Sequence, residues 1–421
     1  MSKSILLDVF PGLSASVSLV LMGIAGIRLL VRMPALLAGQ EDPLPRSQEP
    51  LPVKGMLWAA TAMLLMRLAI ILLAWGMHWA QGEGAGLLES FRGYWEHWDV
   101  RHYVGIAENG YVTEGNDRLR LVFFPLYPVL MRLLSPAFGG DVFYAGTALS
   151  IVVACISSAM LYALAFFWRG ARAAGFSVAC FLVNPMSVFL GCVYTESLFL
   201  CLCLLCALLL TRSHPWGASL AGMAAAFTRM PGALLAGLFL IEGLYGILRE
   251  RRRLRRLVVC VARMLVVFSG LFLYFAVNRA LTGSAFTYLT YQRENWFQQA
   301  GTFWDSVANT AHYLVTTYGD SDWLWTWGFQ LIAMFYGFFL LAFRQGRLPF
   351  SLAAFSFVYV MVVFSPTWLL SGARYLYGLF ALPLLQSCCG ERRGARVCRL
   401  LLSGILLICF VYGYTIEIAV L

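Results

Sequence analysis

The sequence has few charged residues for its length. Only 12% of its 421 residues are Asp, Glu, Lys or Arg, 60% are hydrophobic, and Lys occurs just twice. A water-soluble protein of this size could not bury so many apolar side chains or cover its surface with so few charges. Apolar runs near the ~20 residues that cross a bilayer recur from end to end. The sequence therefore predicts an all-α, multi-pass membrane protein.

Metal-binding and redox motifs are also lacking. The cysteines lie mainly in apolar runs such as LFLCLCLLCALLL, where Cys203 and Cys206 have no second pair or histidine nearby. Such thiols behave as small hydrophobes. We expect no cofactor and no bound metal, with a divalent metal as the less favoured alternative. The net charge of +10 suits cytoplasmic loops rich in Arg, so we expect no nucleic-acid partner.

The apolar pattern predicts a single membrane domain over residues 1–421 with about twelve spans. The candidate spans are 12–31, 56–80, 142–168, 173–190, 197–211, 216–228, 231–248, 257–280, 323–343, 350–366, 374–388 and 400–418. The run RERRRLRR at 249–256 marks a cytoplasmic loop, because such loops collect basic residues. Two long loops, about 81–140 and 281–322, then face the extracytoplasmic side. The absence of an N-x-S/T sequon and the excess of Arg over Lys favour a bacterial cytoplasmic membrane; a eukaryotic chain would belong in the endoplasmic reticulum.

The first long loop contains the polar stretch HWDVRHYVGIAENGY at 97–111. Its apolar residues recur at i, i+3, i+4 and i+7, a spacing that predicts a short helix resting on the membrane surface: Val100, Tyr103, Val104 and Ala107. Asp99 precedes this face where an N-cap belongs, and Asn109-Gly110 ends it. Asp99 is thus either a helix cap or a carboxylate that accepts a proton from an attacking hydroxyl. Glu96 is the alternative base.

Two histidines flank Asp99 in this stretch. His97 and His102 could join it as metal ligands, but their spacing does not place all three on one helix face, and hydrogen-bonding roles are favoured. Arg101 and His102 are also candidate substrate-binding residues.

Four segments resemble, in order, the PIG-V family of mannosyltransferases. They are HWDVRHYVGIAENGY, FFPLYP (123–128), NPMSVFLGCVYTESLF (184–199) and GMAAAFTRMPG (222–232). The resemblance implies a GT-C-type fold and an inverting glycosyltransferase. Its donor would be a polyprenyl- or dolichyl-phosphate-linked mannose, and its acceptor a hydroxyl of a lipid-linked or cell-surface glycan. By position, Asp99 matches the catalytic aspartate of the family. An additional span before the catalytic loop is a departure from the family pattern.

The remaining candidate binding residues lie in the same segments, except Arg374, which lies in LLSGARYLY at 369–377. Two arginines at the outer ends of predicted spans could hold the leaving phosphate or could simply snorkel: Arg229 and Arg374. Glu196 in YTES could contact acceptor or sugar, or merely favour the start of its helix. Asn184 could open the preceding helix beside the site or only kink it. The resemblance adds two tyrosines, Tyr127 and Tyr194.

Two other functions remain open on the sequence alone. A related transferase could move glucose or arabinose from the same kind of lipid. Glucose and mannose are epimers, which differ in the position of one hydroxyl, and the sequence does not separate them. A transporter or lipid flippase is less favoured, since the polar groups crowd an outer loop rather than the middle of the membrane. Arg67, inside a predicted span, needs a buried partner, for which Glu242 is a candidate.

Overall fold

The computed structural model describes residues 3–82, 86–249, 253–320, 323–388 and 392–418. Residues 83–85 and 321–322, which belong to the two predicted loops, lie outside this description. The described chain is helical throughout, and its only β-type pairing is an isolated bridge between Ala300 and Pro366. The predicted all-α membrane architecture is confirmed.

The α-helices are numbered in chain order. In the first half they are α1 (Lys3–Ala38), α2 (Val53–Ala80), α3 (Leu87–Trp95), α4 (Asp99–Asn109), α5 (Leu126–Leu134), α6 (Val142–Leu182), α7 (Glu196–Thr211) and α8 (Pro215–Thr228). In the second half they are α9 (Ala236–Arg249), α10 (Arg253–Thr282), α11 (Thr287–Trp296), α12 (Phe303–Thr316), α13 (Phe329–Arg344), α14 (Phe350–Val363), α15 (Gly372–Tyr377), α16 (Leu382–Ser387) and α17 (Arg393–Thr415). Short 3₁₀ segments include Asn116–Val122, Ser135–Phe138, Pro185–Leu190, Met230–Leu235 and Gln345–Arg347.

The number of full-length spans is smaller than the sequence predicts. Among the described residues, seven helical stretches are long and apolar enough to cross a membrane, or eight if a bent pair in the first loop counts as one. Two predicted spans, 142–168 and 173–190, lie largely in the single stretch Val142–Leu182. Four others, 197–211, 216–228, 350–366 and 374–388, correspond to shorter helices. The backbone leaves the helical conformation at Gly170 inside α6, where φ is 80°, and a 3₁₀ turn begins at Pro185 after α6. Pro383 lies in the first turn of α16, where proline is tolerated.

These interrupted helices lie in the interior of the bundle. α7 packs between α6 and α8, α8 packs on α10, and α14 contacts α9 and α13. Irregular backbone at membrane depth requires protein or water around it to satisfy its N–H and C=O groups. The ends of α7, α8, α14 and α15 therefore meet around a polar cavity, and the first long loop closes it through α4.

The first loop folds into short helices, as the sequence predicts. The apolar face of α4 is buried, and Gly110 ends the helix at φ 74° with its N–H bonded to the Ile106 carbonyl, as a C-cap does. The N-terminal prediction differs: α4 begins at Asp99 itself, and no side chain caps it. The Asp99 carboxylate instead accepts a hydrogen bond from Arg374, in another part of the chain.

Candidate functional site

A cavity of about 280 Å³ lies between α4 and the ends of the interrupted helices. Of the ten candidate binding residues and the candidate base, five line it: Asp99, Tyr194, Glu196, Arg229 and Arg374. The second long loop contributes Gln292, Trp296 and Gln298. Residues that are 275 positions apart in the chain thus share one cavity.

Asp99 enters this cavity at the first turn of α4. The preceding residue, Trp98, has φ 52° and ψ −125°, a backbone conformation that costs a bulky residue on the order of 1–3 kcal/mol and is typical of functional sites. The Asp99 side chain is 20% exposed, and its Oδ2 accepts a hydrogen bond from Arg374 Nη2 at 3.0 Å. The chain therefore fixes this carboxylate at the cavity wall while leaving it accessible.

Two arginines and two carboxylates form a continuous ion network, which we call the charge cluster: Asp99, Arg374, Glu196 and Arg229. Arg374 Nε lies 3.3 Å from Glu196 Oε1, and Arg229 Nη1 donates to the same oxygen. Glu196 is 1% exposed and Arg374 is 7% exposed. Buried charges of this kind persist when each is compensated by a partner, which the alternation of signs provides here.

Aromatic rings hold both guanidinium groups in place. The Arg229 guanidinium lies over the rings of Phe199 and Tyr375, at 5.8 and 5.2 Å from their centroids. The Arg374 guanidinium lies over Phe189 and Tyr194, at 5.4 and 5.0 Å. Such cation–π contacts gain strength when desolvated, so the cationic side of the cavity is pre-organised.

The segment that carries Glu196 is anchored from three sides. Asn184 accepts from the Met186 N–H and caps the 3₁₀ turn that follows. Arg67, fully buried in α2, donates to the backbone carbonyl and hydroxyl of Ser187. Ser197 donates to the Leu190 carbonyl at 3.0 Å. The predicted pairing of Arg67 with Glu242 is wrong, because the Glu242 carboxylate bonds Arg46 at 3.0 Å.

Six of the candidates, including His102, lie outside the cavity lining. The Glu96 side chain pairs with Arg92. Arg101 is exposed and its Nε donates to the Glu96 carbonyl at 3.1 Å. Tyr127 is buried against α6, where its hydroxyl bonds the Gly146 carbonyl, and Asn184 serves as the cap described above. His97 packs against the end of α17.

The two histidines have different surroundings. The His97 ring is 5.8 Å from that of Tyr414, and its Nδ1 lies 3.0 Å from the Glu417 carboxylate. The His102 ring stacks on Phe123 at 4.9 Å, beside the cavity. Burial lowers the pKa of both imidazoles, partly offset at His102 by Asp99. Within the described ranges, no three His, Cys, Asp or Glu side chains cluster closely enough to hold a metal ion.

Sequence reasoning missed several residues of the site. Gln292 and Gln298 are amides in a polar loop, where no periodicity singles them out. Tyr414 lies in an apolar run at the end of α17, yet it is fully buried. Its hydroxyl donates to the Trp95 carbonyl at 3.1 Å, and its ring packs on Phe189. Tyr414 thereby joins the loop of Asp99 to the segment of Glu196.

Comparison with known proteins gives a consistent family match. A profile of the family described as Mannosyltransferase (PIG-V) matches residues 85–338, which include the first loop from residue 85 onward and three members of the charge cluster. The chain is 30% identical over 221 residues to the human GPI alpha-1,6-mannosyltransferase 2, covering 47% of this chain and 44% of that protein. It is 31% identical over 166 residues to the rat protein of the same name, covering 37% and 32%. The chain thus spans less than half the length of these curated relatives.

Among solved structures, the chain is similar to ArnT from Cupriavidus metallidurans bound to undecaprenyl phosphate. The TM-score is 0.47 and the sequence identity 17%, over 86% of this chain and 70% of that one. The apo structure of the same protein has a TM-score of 0.45 at 17% identity, over 86% and 77%.

Proposed function

Because the chain belongs to the PIG-V mannosyltransferase family, we propose that it transfers mannose from a polyprenyl- or dolichyl-phosphate donor to a hydroxyl acceptor, with inversion at the anomeric carbon. The acceptor is a lipid-linked or cell-surface glycan. The observation that carries the proposal is the 3.0 Å contact between the Asp99 carboxylate and the Arg374 guanidinium inside one cavity. A base and two cations that line the same cavity suit a reaction that removes a proton and releases a phosphate.

Asp99 acts as the general base in this proposal. The acceptor oxygen attacks the anomeric carbon while its proton passes to the Asp99 carboxylate, and the bond from that carbon to the phosphate oxygen breaks on the opposite face. A positioned carboxylate contributes about 10²–10⁴-fold through such a proton transfer. The accessible side chain of Asp99 at the cavity wall supports this role.

Arg229 and Arg374 hold the leaving phosphate. Both line the cavity, and guanidinium groups bind phosphate oxygens through charge-assisted hydrogen bonds. Pre-organised cations stabilise the charge that develops on a leaving group. We propose that these two arginines supply this stabilisation without a metal ion, so that activity persists after treatment with EDTA.

The reaction takes place on the extracytoplasmic side of the membrane. Helix α10 begins at the basic residues Arg253, Arg255 and Arg256 and ends at Thr282, next to the second loop. The first loop, which carries Asp99, contacts α10 toward this far end, where the Tyr274 hydroxyl donates to the Leu121 carbonyl at 2.8 Å. Basic stretches of this kind stay in the cytoplasm. For the compartment we propose a bacterial cytoplasmic membrane, which is supported by the excess of Arg over Lys and the absence of N-x-S/T sequons.

The test is transfer of labelled mannose from polyprenyl-phosphate mannose to membranes of the native host by the purified protein. Asp99→Asn should lower the rate by about 10²-fold or more. Asp117→Asn is the matched control, since Asp117 lies in the same loop, is 57% exposed and pairs only locally with Arg120. Equal rates for folded Asp99→Asn and wild type would remove the base assignment. Exclusive use of a glucose or arabinose donor would contradict the mannose assignment.

A further inference from the structure

A hydrogen-bond acceptor inside the cavity lacks a donor. The two oxygens of the Glu196 carboxylate have different surroundings: Oε1 contacts Arg229 and Arg374, whereas Oε2 is buried and has no hydrogen-bond partner among the described residues. Leaving a buried charged acceptor unsatisfied is costly. Such an atom therefore calls for a ligand that donates a hydrogen bond.

An unsatisfied donor lies next to it. Arg374 Nη1 is likewise buried without a hydrogen-bond partner in the part of the chain that the structure describes, although Nη2 of the same guanidinium bonds Asp99. Arg374 Nε is only 3.3 Å from the Glu196 carboxylate, so the free donor and the free acceptor belong to neighbouring groups. This pair matches a ligand that carries an anionic oxygen close to a hydroxyl group.

We propose that Glu196 determines the sugar specificity, because its Oε2 accepts a hydrogen bond from the hydroxyl next to the anomeric carbon of the donor. This inference rests on the proposed function and deepens it. The sequence alone suggests Glu196 as a contact for either sugar or acceptor; the structure assigns it to the donor sugar at one ring position.

The position follows from the arginines. A glycosyl phosphate carries its phosphate on the anomeric carbon, and the two cations proposed to bind that phosphate are those that contact Glu196 Oε1. The opposite oxygen of the same carboxylate then reaches the adjacent ring carbon, C2. Mannose and glucose differ only at C2, where the hydroxyl is axial in mannose and equatorial in glucose. Hydrogen bonds to this hydroxyl also strengthen in transition states of glycosyl transfer.

A site built to bond a substrate hydroxyl discriminates strongly against a ligand that lacks it, because the buried polar group is then left unpaired. Glu196 therefore has two effects that can be separated. It neutralises the arginines, which affects every donor equally, and it recognises the C2 hydroxyl, which affects only donors that carry this group in the mannose configuration.

The experiment compares kcat/KM for polyprenyl-phosphate mannose and its 2-deoxy analogue, in wild type and in Glu196→Gln. The glutamine oxygen can keep the arginine contacts, but its amino group cannot accept a hydrogen bond. Removing the C2 hydroxyl also changes the intrinsic reactivity of the donor. This effect is the same for both proteins. We therefore take the ratio of kcat/KM for the mannose donor to kcat/KM for the 2-deoxy donor, the mannose to 2-deoxy ratio, and divide the value of the variant by that of wild type, so that the intrinsic effect cancels.

We expect the mannose to 2-deoxy ratio to fall by roughly 10- to 100-fold in Glu196→Gln, the range for a hydrogen bond to a charged group. Glu196→Asp, which keeps the charge but shortens the reach, should also lower the ratio and covers the case that the glutamine variant does not fold. Thr228→Val is the matched control: Thr228 lines the cavity, but its hydroxyl already bonds the Ala224 carbonyl at 2.8 Å, so the ratio should not change.

Other results would overturn the inference. If Glu196→Gln lowers kcat/KM by the same factor for both donors, Glu196 is only a counter-ion. The proposed mannosyltransferase function would not be affected by this result. Equal use of mannose and glucose donors by the wild-type protein would have the same meaning. If the wild-type protein transfers sugar from none of the donors, the proposed function itself fails, and this inference fails with it.

Discussion

Arg374 should be the residue on which the stability of the charge cluster depends most. Its guanidinium is 7% exposed and lies 3.0 Å from Asp99 and 3.3 Å from Glu196. At an effective dielectric constant of about 20, each attraction is about 5 kcal/mol before desolvation. Arg374→Gln removes the central cation and leaves Glu196 with Arg229 alone and Asp99 with no cation, a change that costs roughly 3–5 kcal/mol when a pair is buried.

The assay is thermal unfolding of the detergent-solubilised protein, followed by intrinsic tryptophan fluorescence. For a chain of 421 residues the unfolding entropy is about 0.9 kcal/mol/K. A loss of ~3–5 kcal/mol then lowers the Tm by roughly 3–6 °C. Arg279→Gln is the matched control, because Arg279 is exposed on α10 and an exposed substitution changes stability by about 0.5 kcal/mol or less.

A double variant tests the physical cause. Adding Asp99→Asn to Arg374→Gln removes the carboxylate that lost its partner, so the double variant should be more stable than Arg374→Gln alone, by roughly 1–2 kcal/mol. If Arg374→Gln unfolds at the same temperature as wild type, or if the two losses simply add, the cluster is not the coupled network that the distances indicate.

Three further predictions follow from other contacts. Gly232→Ala should lower both stability and activity, because a Cβ atom at this position, close to Arg229, would lie 2.3 Å from the helix backbone. The control Gly237→Ala should be nearly neutral, since its Cβ atom would have nothing within 4 Å. Similar Tm values for the two variants would contradict this prediction. Tyr414→Phe should cost about 1 kcal/mol in stability and slow transfer several-fold, since the Tyr414 hydroxyl bonds the Trp95 carbonyl in the loop that carries Asp99. An unchanged kcat would show that Tyr414 contributes only to packing. Burial lowers the pKa of His102, so the unfolded chain binds more protons than the folded one, and the stability should fall as the pH drops below about 6.5. The fall should be less steep in His102→Gln. Parallel curves of stability against pH for this variant and wild type would refute the prediction.

The sequence was sufficient for the local features of the site. The apolar face of α4, its end at Gly110 and the short helices of the first loop follow from periodicity and capping rules, which operate over a few residues. The membrane class follows from composition. The positions of Arg229 and Arg374 at the ends of helices followed from the edges of the apolar runs.

The pairing within the charge cluster could not be predicted in the same way. Asp99 and Arg374 are 275 residues apart, and only the packing of interrupted helices brings them together. The number of long continuous helices could not be predicted either, because hydropathy registers an apolar segment whether its helix is long or short. Tyr414 could not be found because a buried aromatic residue in an apolar run has the same pattern as a lipid-facing one.

The alternation of two cations and two anions has a consequence for turnover. With both carboxylates ionised, the four side chains of the charge cluster sum to zero, and a glycosyl phosphodiester arrives with one negative charge. After transfer in the proposed mechanism, the proton resides on Asp99, the protein side carries one positive charge, and the spent lipid is a phosphate monoester with up to two negative charges. The protein therefore attracts its by-product more strongly than its substrate. This attraction weakens when Asp99 gives its proton to water. Dissociation of the lipid phosphate is therefore coupled to the deprotonation that restores Asp99 as a base.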